Sequence, residues 1–439
     1  MRHATFGRRE FLVGFRVGFA SVLVAGASVA VFGELSSAPA GATTSPCGTY
    51  GAFSSVPTRD SCTYTRTGED TFSVPPTVDQ VTVAAIGGAG GAGASGGEPG
   101  GLGGQGAEVS ATVTVSGGSK LYAEVGSDGA LGTSGPSCSG GAGGANGGGD
   151  GGAAYCSLPD SVALPAGGGG GGASDVRTTP AADGGLTGGA GDPRLVVAGG
   201  GGGGGGQDAA PGGAGGNAGD SSVTGAGDGG NCSSGDQANP GDPGGVGAGG
   251  GTGGIGTGPC GAVADNVSDG GNGGPTSGGA GGDGATLLTT GPGGGGGGYV
   301  GGGGGATSEA PQFAAGGGGG SSFGPATAIV ATTSSAPSVT ISWALLYVLH
   351  VTPSTGPSAG GTKFSIAGTG FATGAVVKIG QGHGAGSDSL EATQVKVVSS
   401  DEITAITPKG AAGTWNVFVL EPHDLQSPPH PADRFTYTT

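Results

Sequence analysis

The stretch that decides the fold is RLVVAGGGGGGGG, residues 194–206, in which an apolar strand pattern runs directly into eight glycines. A free polyglycine segment is a flexible coil, because glycine loses more conformational entropy on ordering than any other residue. It can be ordered only where its N–H and C=O groups hydrogen-bond to neighbouring segments. Similar glycine runs follow the same logic elsewhere in the chain, at residues 167–172, 293–298, 301–305 and 316–320.

The lengths of these runs suit an ordered bundle. With a rise of about 3.1 Å per residue, an extended three-residue-per-turn helix of six to eight glycines spans roughly 19–25 Å. Such helices lack side chains and can pack side by side, with Cα–H···O contacts between them. Runs bracketed by strands and cysteines therefore favour packed polyglycine-II helices. The alternative, a disordered low-complexity spacer, stays open.

The composition excludes several classes of protein. Of the 439 residues 116 are Gly and 27 are Pro, together about a third of the chain. An ordinary enzyme-sized domain cannot extend over such a sequence. Collagen is excluded because Pro is scarce and Gly keeps no strict three-residue period over the chain. With 14 Lys and Arg against 31 Asp and Glu, the net charge of −17 predicts no nucleic-acid partner.

Alternating apolar residues predict β-strands around the glycine runs. The pattern of period two that is typical of half-buried strands occurs at residues 78–83, 109–115, 121–125 and 338–343, and the apolar segment 194–198 predicts another strand. We therefore predict a mainly β fold, with a glycine-rich domain at residues 41–347. This part holds 22 acidic and 5 basic residues and carries the acidity of the chain.

The first 40 residues predict a signal peptide. Basic residues precede an apolar stretch at 17–32, and small-x-small cleavage candidates follow at 38–42. The pair Arg8 and Arg9, followed by Glu-Phe-Leu, resembles the twin-arginine export motif, although Gly7 and Val13 depart from its flanks. We expect a secreted or cell-surface protein without a stable membrane span after cleavage. An uncleaved anchor is disfavoured, because sixteen residues fall short of the ~20 that a spanning helix needs.

All six cysteines follow the predicted cleavage site. An even count in an exported chain predicts disulfides. The chain has no C-x-x-C pair and no His between residues 4 and 349, so a zinc site lacks its usual ligand spacing. Sequential pairing would close loops of roughly 15 to 30 residues, although fifteen connectivities are possible for six cysteines. The expected pairs are Cys47–Cys62, Cys138–Cys156 and Cys232–Cys260.

The tail, residues 348–439, predicts an Ig-like β-sandwich. Short strands of period two recur every 8–12 residues or so, with Gly, Pro and Ser turns between them. Its most characteristic segments are VTPSTGPSAGGT (351–362), FSIAGTGF (364–371), AVVKIG (375–380), GTWNVFV (413–419) and FTY (435–437). Through these segments the tail is similar to an IPT/TIG domain along its whole length. The resemblance implies a sandwich used as a spacer or adhesive module.

The glycine-rich part contains a second set of characteristic segments: FSVP (72–75), VTVAAIGG (81–88), LYAEVG (121–126), GGASDVR (171–177) and LVVAGG (195–200). With these segments, residues 62–343 look like the glycine-rich domain of the anaplastic lymphoma kinase receptor family and its bacterial relatives. The resemblance implies a β framework that carries packed polyglycine helices, and it does not extend to a kinase. We expect an exported bacterial protein.

No catalytic set is predicted. The nucleophile-elbow pattern at Gly93–Gly97 and the many G-x-G-x-x-G matches are expected by chance in a glycine-rich chain. A calcium-type repeat at Gly278–Ala285 is solitary. The tail histidines predict surface positions, although His423 with Asp424, or His430 with Asp433, could hold a metal. We predict no catalytic residue, metal or cofactor.

These observations predict a non-enzymatic structural or adhesive protein that meets a protein or glycan surface. The alternative is a carbohydrate-binding accessory protein of an extracellular enzyme system, in which the sandwich binds sugar. Exposed aromatic residues in the tail would favour the alternative. The strand patterns instead predict a core position for the tail aromatics Phe364, Phe371, Trp415, Phe418, Phe435 and Tyr437.

Overall fold

The glycine-rich part is built from strands that lead into glycine segments. The computed structural model describes residues 45–96, 100–157, 162–207, 212–220, 271–274, 276–280, 289–307, 314–381, 385–386, 388–421 and 425–439. The chain is β-rich in these ranges, which confirms the predicted mainly β fold class. Their helical elements are two single 3-10 turns, Ala181–Asp183 and Pro431–Asp433. The predicted signal peptide, including Arg8 and Arg9, lies outside the described residues.

The described residues of this part form fourteen strands. They are β1 (Ala52–Val56), β2 (Arg59–Tyr64), β3 (Gly68–Ser73), β4 (Gln80–Ile86), β5 (Gly106–Thr114), β6 (Lys120–Val125), β7 (Cys156–Ser157), β8 (Val162–Ala163), β9 (Ser174–Arg177), β10 (Arg194–Ala198), β11 (Gly219–Asp220), β12 (Ser321–Ser322), β13 (Ile329–Thr333) and β14 (Ser338–Ala344). The five predicted strands correspond to β4, β5, β6, β10 and β14.

Two antiparallel sheets share one apolar core. Their strand orders are β1-β2-β14-β4-β5-β13 and β10-β9-β6-β3. Along β4, buried and half-buried residues alternate, as expected for a strand that packs one face on a core. Val83 from the first sheet and Phe72 from the second are fully buried in the same cluster. The ring of Trp343 lies 5.3 Å from that of Phe72, so the predicted closing strand completes this core.

Beyond the strands, glycine segments pack side by side into what we call the glycine bundle. Strands β4, β6 and β10 run directly into it, and β5, β9 and β12 leave it. The described residues of the bundle are 87–96, 100–106, 126–133, 139–152, 164–173, 199–207, 212–219, 271–274, 276–280, 289–298, 301–307 and 314–320.

The run 199–206 lies at the centre of six neighbours. Successive N–H groups from Gly200 to Gly206 donate to three neighbouring segments in turn, and this order repeats every three residues. The C=O groups from Gly199 to Gly205 accept in the same rotation, and all these N···O distances are 2.7–3.0 Å. The donors reach segments 289–298, 87–96 and 212–219, and the acceptors are reached from segments 100–107, 314–320 and 164–173. Runs 167–172 and 293–298 are surrounded in the same way.

Six-sided packing explains why these runs contain only glycine. In an ordinary outer segment one residue in three can face solvent, but a central run has a neighbour on every side. A Cβ on Gly203 would overlap the carbonyl oxygen of Gly168, and one on Gly204 would overlap that of Gly101. A single side chain would therefore separate two segments and break their hydrogen bonds.

The outer segments of the bundle follow a local Gly-Gly-X period. It is clearest at 100–105 (GGLGGQ), 140–145 (GGAGGA) and 212–217 (GGAGGN). In each segment X is exposed and the residue before it is less exposed, so exposure repeats every three residues. Polar side chains on neighbouring outer segments accept from N–H groups at the surface: Asp128 Oδ1 from Ala89, and Asn217 Oδ1 from Gln105, both at 2.8 Å.

The tail forms a two-sheet β-sandwich, as predicted. Its first sheet has the order β15-β17-β21-β20 and its second the order β16-β24-β22-β18-β19, with β23 paired to β22. Phe364, Ile366, Val377 and Phe435 from the two sheets share one core. The strands are β15 (Tyr347–Thr352), β16 (Thr355–Pro357), β17 (Lys363–Thr369), β18 (Val376–Gly380), β19 (Leu390–Glu391), β20 (Thr393–Ser399), β21 (Glu402–Ile406), β22 (Gly413–Glu421), β23 (Leu425–Gln426) and β24 (Arg434–Thr438).

Candidate functional site

Two of the three expected disulfides are formed. Cys47 is bonded to Cys62 and Cys138 to Cys156, with sequence separations of 15 and 18 residues. The first ties the turn before β1 to the core of the two sheets. The second joins the chain on either side of bundle residues 139–152. In the loop-entropy model each is worth about 3 kcal/mol. Cys232 and Cys260 lie outside the described residues, and their pairing stays a prediction.

A buried ion pair lies where β9 leaves the glycine bundle. Arg177 and Asp175 are both fully buried. The guanidinium donates from Nε to Oδ1 at 2.7 Å and from Nη2 to Oδ2 at 2.6 Å. Asn146, at the turn between two bundle segments, donates to Asp175 Oδ2 at 2.9 Å and to the carbonyl of Ala173 at 2.8 Å. The pair therefore fastens a bundle turn to the sheet.

A second buried pair lies on the adjacent strand. Arg194 is directly opposite Arg177 in the β9–β10 ladder. Its guanidinium donates to both oxygens of Asp192, at 2.9 and 2.8 Å, and to the carbonyls of Gly298 and Tyr299. Burial alone would raise the pKa of Asp192, but hydrogen bonds from Arg194 lower it to about 2. Arg194 thus joins β10 to the end of the run 293–298.

These two arginines explain the motifs quoted from the sequence. GGASDVR and RLVVAGG each place a glycine run at one end of a strand and a buried arginine at the other. Because β9 and β10 are antiparallel neighbours, their runs, 167–172 and 199–206, enter the bundle side by side. Both motifs act here as anchors between the sheet and the bundle.

Glu124 lies next to the first anchor. It is opposite Glu69 on β3 and Asp175 on β9, and its carboxylate is 4.0 Å from the guanidinium of Arg177. Burial raises the pKa of Glu124 to about 7; Arg177 opposes this shift, and the carboxylates of Asp175 and Glu69 add to it. The folded state therefore holds the proton of Glu124 more tightly than the unfolded chain does.

Glu124→Gln is expected to change the pH dependence of stability. The folded pKa lies above the unfolded value near 4.5, so the contribution of Glu124 is complete below pH 4.5 and is lost as the pH rises through about 7. Glutamine stays uncharged at every pH. The melting temperature of the variant should therefore rise relative to wild type between pH 4.5 and 8. The exposed Glu108→Gln is the control, and parallel curves for wild type and E124Q would contradict the prediction.

The predicted core positions of the tail aromatics are confirmed. Phe364, Phe371, Trp415, Phe418, Phe435 and Tyr437 are all buried. His350 is exposed on β15, and His430 caps the 3-10 turn before β24 with its side chain. His383 and His423 lie outside the described residues. Within the described residues, no group of three or more His, Cys, Asp and Glu side chains is placed to hold a metal ion.

The comparisons with known proteins concern the tail. No curated protein matches the chain. In the part of the chain that the structure describes, no helix has the length and apolarity to cross a membrane. The likeness of residues 62–343 to the receptor-type glycine-rich domain, the bacterial origin and the domain boundaries stay predictions. Both disulfides and the tail fit an extracellular protein. Residues 346–437, which form the sandwich, match the family model of the IPT/TIG domain.

Proposed function

We propose that this chain is a non-enzymatic, exported structural or adhesive protein. Its glycine-rich part, residues 41–347, would form a stiff polyglycine-II body that presents the IPT/TIG domain to a partner. One observation carries the proposal: the run 199–206 has six hydrogen-bonded neighbours, with donors and acceptors rotating every three residues. A coil-like spacer would leave these groups to water. In the bundle, the backbone N–H and C=O groups instead form hydrogen bonds with segments that are far apart in the sequence.

The two formed disulfides support export, because such bonds persist in oxidising compartments. IPT/TIG modules occur in surface and adhesive proteins, so the tail fits the same role. The partner would be a protein or glycan surface. We propose no enzymatic activity, and incubation with common ester, peptide and glycoside substrates should give no turnover. Measurable turnover that survives repurification would contradict this part of the proposal.

The alternative, an accessory protein whose sandwich binds carbohydrate, is less favoured. A sugar-binding surface usually presents an aromatic ring to the ligand. The six tail aromatics named above are buried, so none of them offers an open ring face. The structural or adhesive role is supported by the hydrogen-bonded packing of the body. No observation of this kind supports a sandwich that binds sugar.

The double variant Arg8→Lys, Arg9→Lys is expected to abolish secretion. The twin-arginine route recognises the two arginines themselves. Lysine keeps the positive charge but not the guanidinium, so the double substitution should block export. Fractionation of cells, cell surface and medium, followed by immunoblotting, measures the outcome. Arg16→Lys, in the same basic region but outside the pair, is the matched control. Undiminished export of the double variant would remove the twin-arginine route, and a wholly intracellular wild type would contradict export.

A further inference from the structure

A small cavity opens between the turn before β1 and the strand β3. Its volume is about 110 Å³, and the residues that line it include Tyr50, Tyr64, Arg66, Glu69 and Asp70. It lies in the two-sheet part of the body, apart from the glycine bundle and from the tail. None of these residues belongs to the anchors described above, although Glu69 is the cross-strand neighbour of Glu124.

A fixed guanidinium and an open aromatic ring form one wall of the cavity. The central carbon of the Arg66 guanidinium lies 3.8 Å from the centroid of the Tyr50 ring, and Tyr50 is 56% exposed. Among the described residues, Arg66 makes no ion pair, so its N–H donors are available to a ligand. Stacking holds the guanidinium plane in place and reduces the entropy lost on binding.

The turn that carries Tyr50 is held rigidly. The carboxylate of Asp70 accepts the backbone N–H of Thr49 at 3.0 Å and of Tyr50 at 2.6 Å, and it also accepts those of Gly51 and Thr71. The Cys47–Cys62 bond ties the same turn to β2. The aromatic wall is therefore preorganised, as a binding site requires.

Glu69 supplies acceptors to the same cavity, and Tyr64, which is 2% exposed, also lines it. Glu69 accepts the N–H of Ala181 through Oε2 at 2.5 Å, and its carboxylate keeps further acceptor positions.

We propose that this cavity binds one uncharged, polyhydroxylated ring, that is, a neutral pyranose unit of a glycan. Its lining offers donors from Arg66, acceptors from Glu69 and the exposed ring of Tyr50, which together match the hydroxyls and the apolar face of a sugar. An anionic ligand is disfavoured by Glu69, Asp70 and the net charge of −17. A cationic ligand is disfavoured because the guanidinium of Arg66 already occupies the cation position over the Tyr50 ring. The site deepens the proposed adhesive role and rests on it.

Titration of the full secreted chain tests the proposal. The neutral probes are methyl α-mannoside, methyl β-galactoside and N-acetylglucosamine, and the charged probes are glucuronate and glucosamine, followed by ligand-observed NMR. We expect binding of at least one neutral probe. Tyr50→Ala and Arg66→Ala should each weaken it at least tenfold. Tyr50→Phe, which keeps the ring, should weaken it less than Tyr50→Ala does. Arg59→Ala, which removes an exposed arginine outside the cavity, should stay within threefold of wild type.

The outcomes separate the site from the role of the body. Binding of no neutral probe, binding of the charged probes alone, or neutral binding that survives in both Y50A and R66A would each overturn the sugar site. Melting curves for every variant exclude unfolding as the cause of a loss. Limited proteolysis of the same wild-type sample tests the stiff body, so a resistant body without sugar binding removes only the cavity proposal.

Discussion

Replacing Gly203 by valine is expected to lower the free energy of unfolding of the body by about 3 kcal/mol or more. The new Cβ would overlap the carbonyl oxygen of Gly168. Separating the segments would also break the hydrogen bonds from Gly203 N to Gly294 O, at 2.7 Å, and from Gly317 N to Gly203 O, at 2.9 Å. The penalty combines overpacking with unsatisfied buried backbone groups. It disturbs the contacts of Gly203 with three segments, 164–173, 289–298 and 314–320.

Limited proteolysis and thermal melting measure this effect. The wild-type body should resist protease at neutral pH, and Gly203→Val should be cut rapidly within the bundle. The matched control is Ala214→Val, which makes the side chain larger at an exposed X position of an outer segment. That change should stay within about 0.5 kcal/mol of wild type. Equal resistance of G203V and wild type, or rapid digestion of the wild-type body, would contradict the packed bundle and favour a disordered spacer.

Arg177→Ala is expected to cost about 3–5 kcal/mol, because it leaves the carboxylate of Asp175 buried without its cation. Asp175 is fully buried and takes both of its guanidinium hydrogen bonds from Arg177. The remaining donor to its side chain, Asn146 Nδ2, cannot neutralise the charge. The loss should therefore loosen the bundle turn that carries Asn146 as well as β9.

Urea denaturation at pH 7 measures the free energy of unfolding of this variant. The double variant Asp175→Ala, Arg177→Ala removes both charges and should be more stable than Arg177→Ala alone. Lys120→Ala, which removes an exposed cation at the start of β6, is the control for loss of charge. If the double variant were no more stable than the single one, the explanation by a stranded carboxylate would be wrong.

The strands were predictable because their side chains alternate. Val81 and Val83 alternate with polar or small residues, and the structure places both in the core of the two sheets. Sequential pairing of near cysteines predicted Cys47–Cys62 and Cys138–Cys156 for a related reason: short loops cost little entropy to close. In both cases the information is local in the sequence.

The packing of the glycine runs could not be predicted at the level of residues. Gly200 and Gly201 are chemically identical, yet one donates to Gly297 and the other to Gly88. Side chains normally set the register between neighbours, and a central run has none. The Gly-Gly-X period of segments such as 100–105 was legible and would have identified the outer layer, because only there can every third residue face water.

The buried ion pairs were missed for a different reason. Asp175, Arg177 and Arg194 were quoted as parts of motifs, but charged residues are seldom fully buried, so composition predicts them at the surface. Their burial follows from tertiary structure, in which the strand ends meet the bundle. The pattern of one arginine and one aspartate two residues apart, GGASDVR and DPRLVV, is the signal that could have indicated a pair.

The six-neighbour arrangement also sets the order of assembly during folding. Gly203 is bonded to Gly294 and Gly317, about a hundred residues later in the chain. Contacts of such long range slow folding, because loop closure precedes any gain from the contact. Segments 87–96 and 100–106 pack on the central run 199–206, and that run has all six neighbours only after residue 320 has been synthesised. Before that point the unassembled glycine segments expose little apolar side-chain surface. The nascent chain therefore has few apolar patches through which it could aggregate.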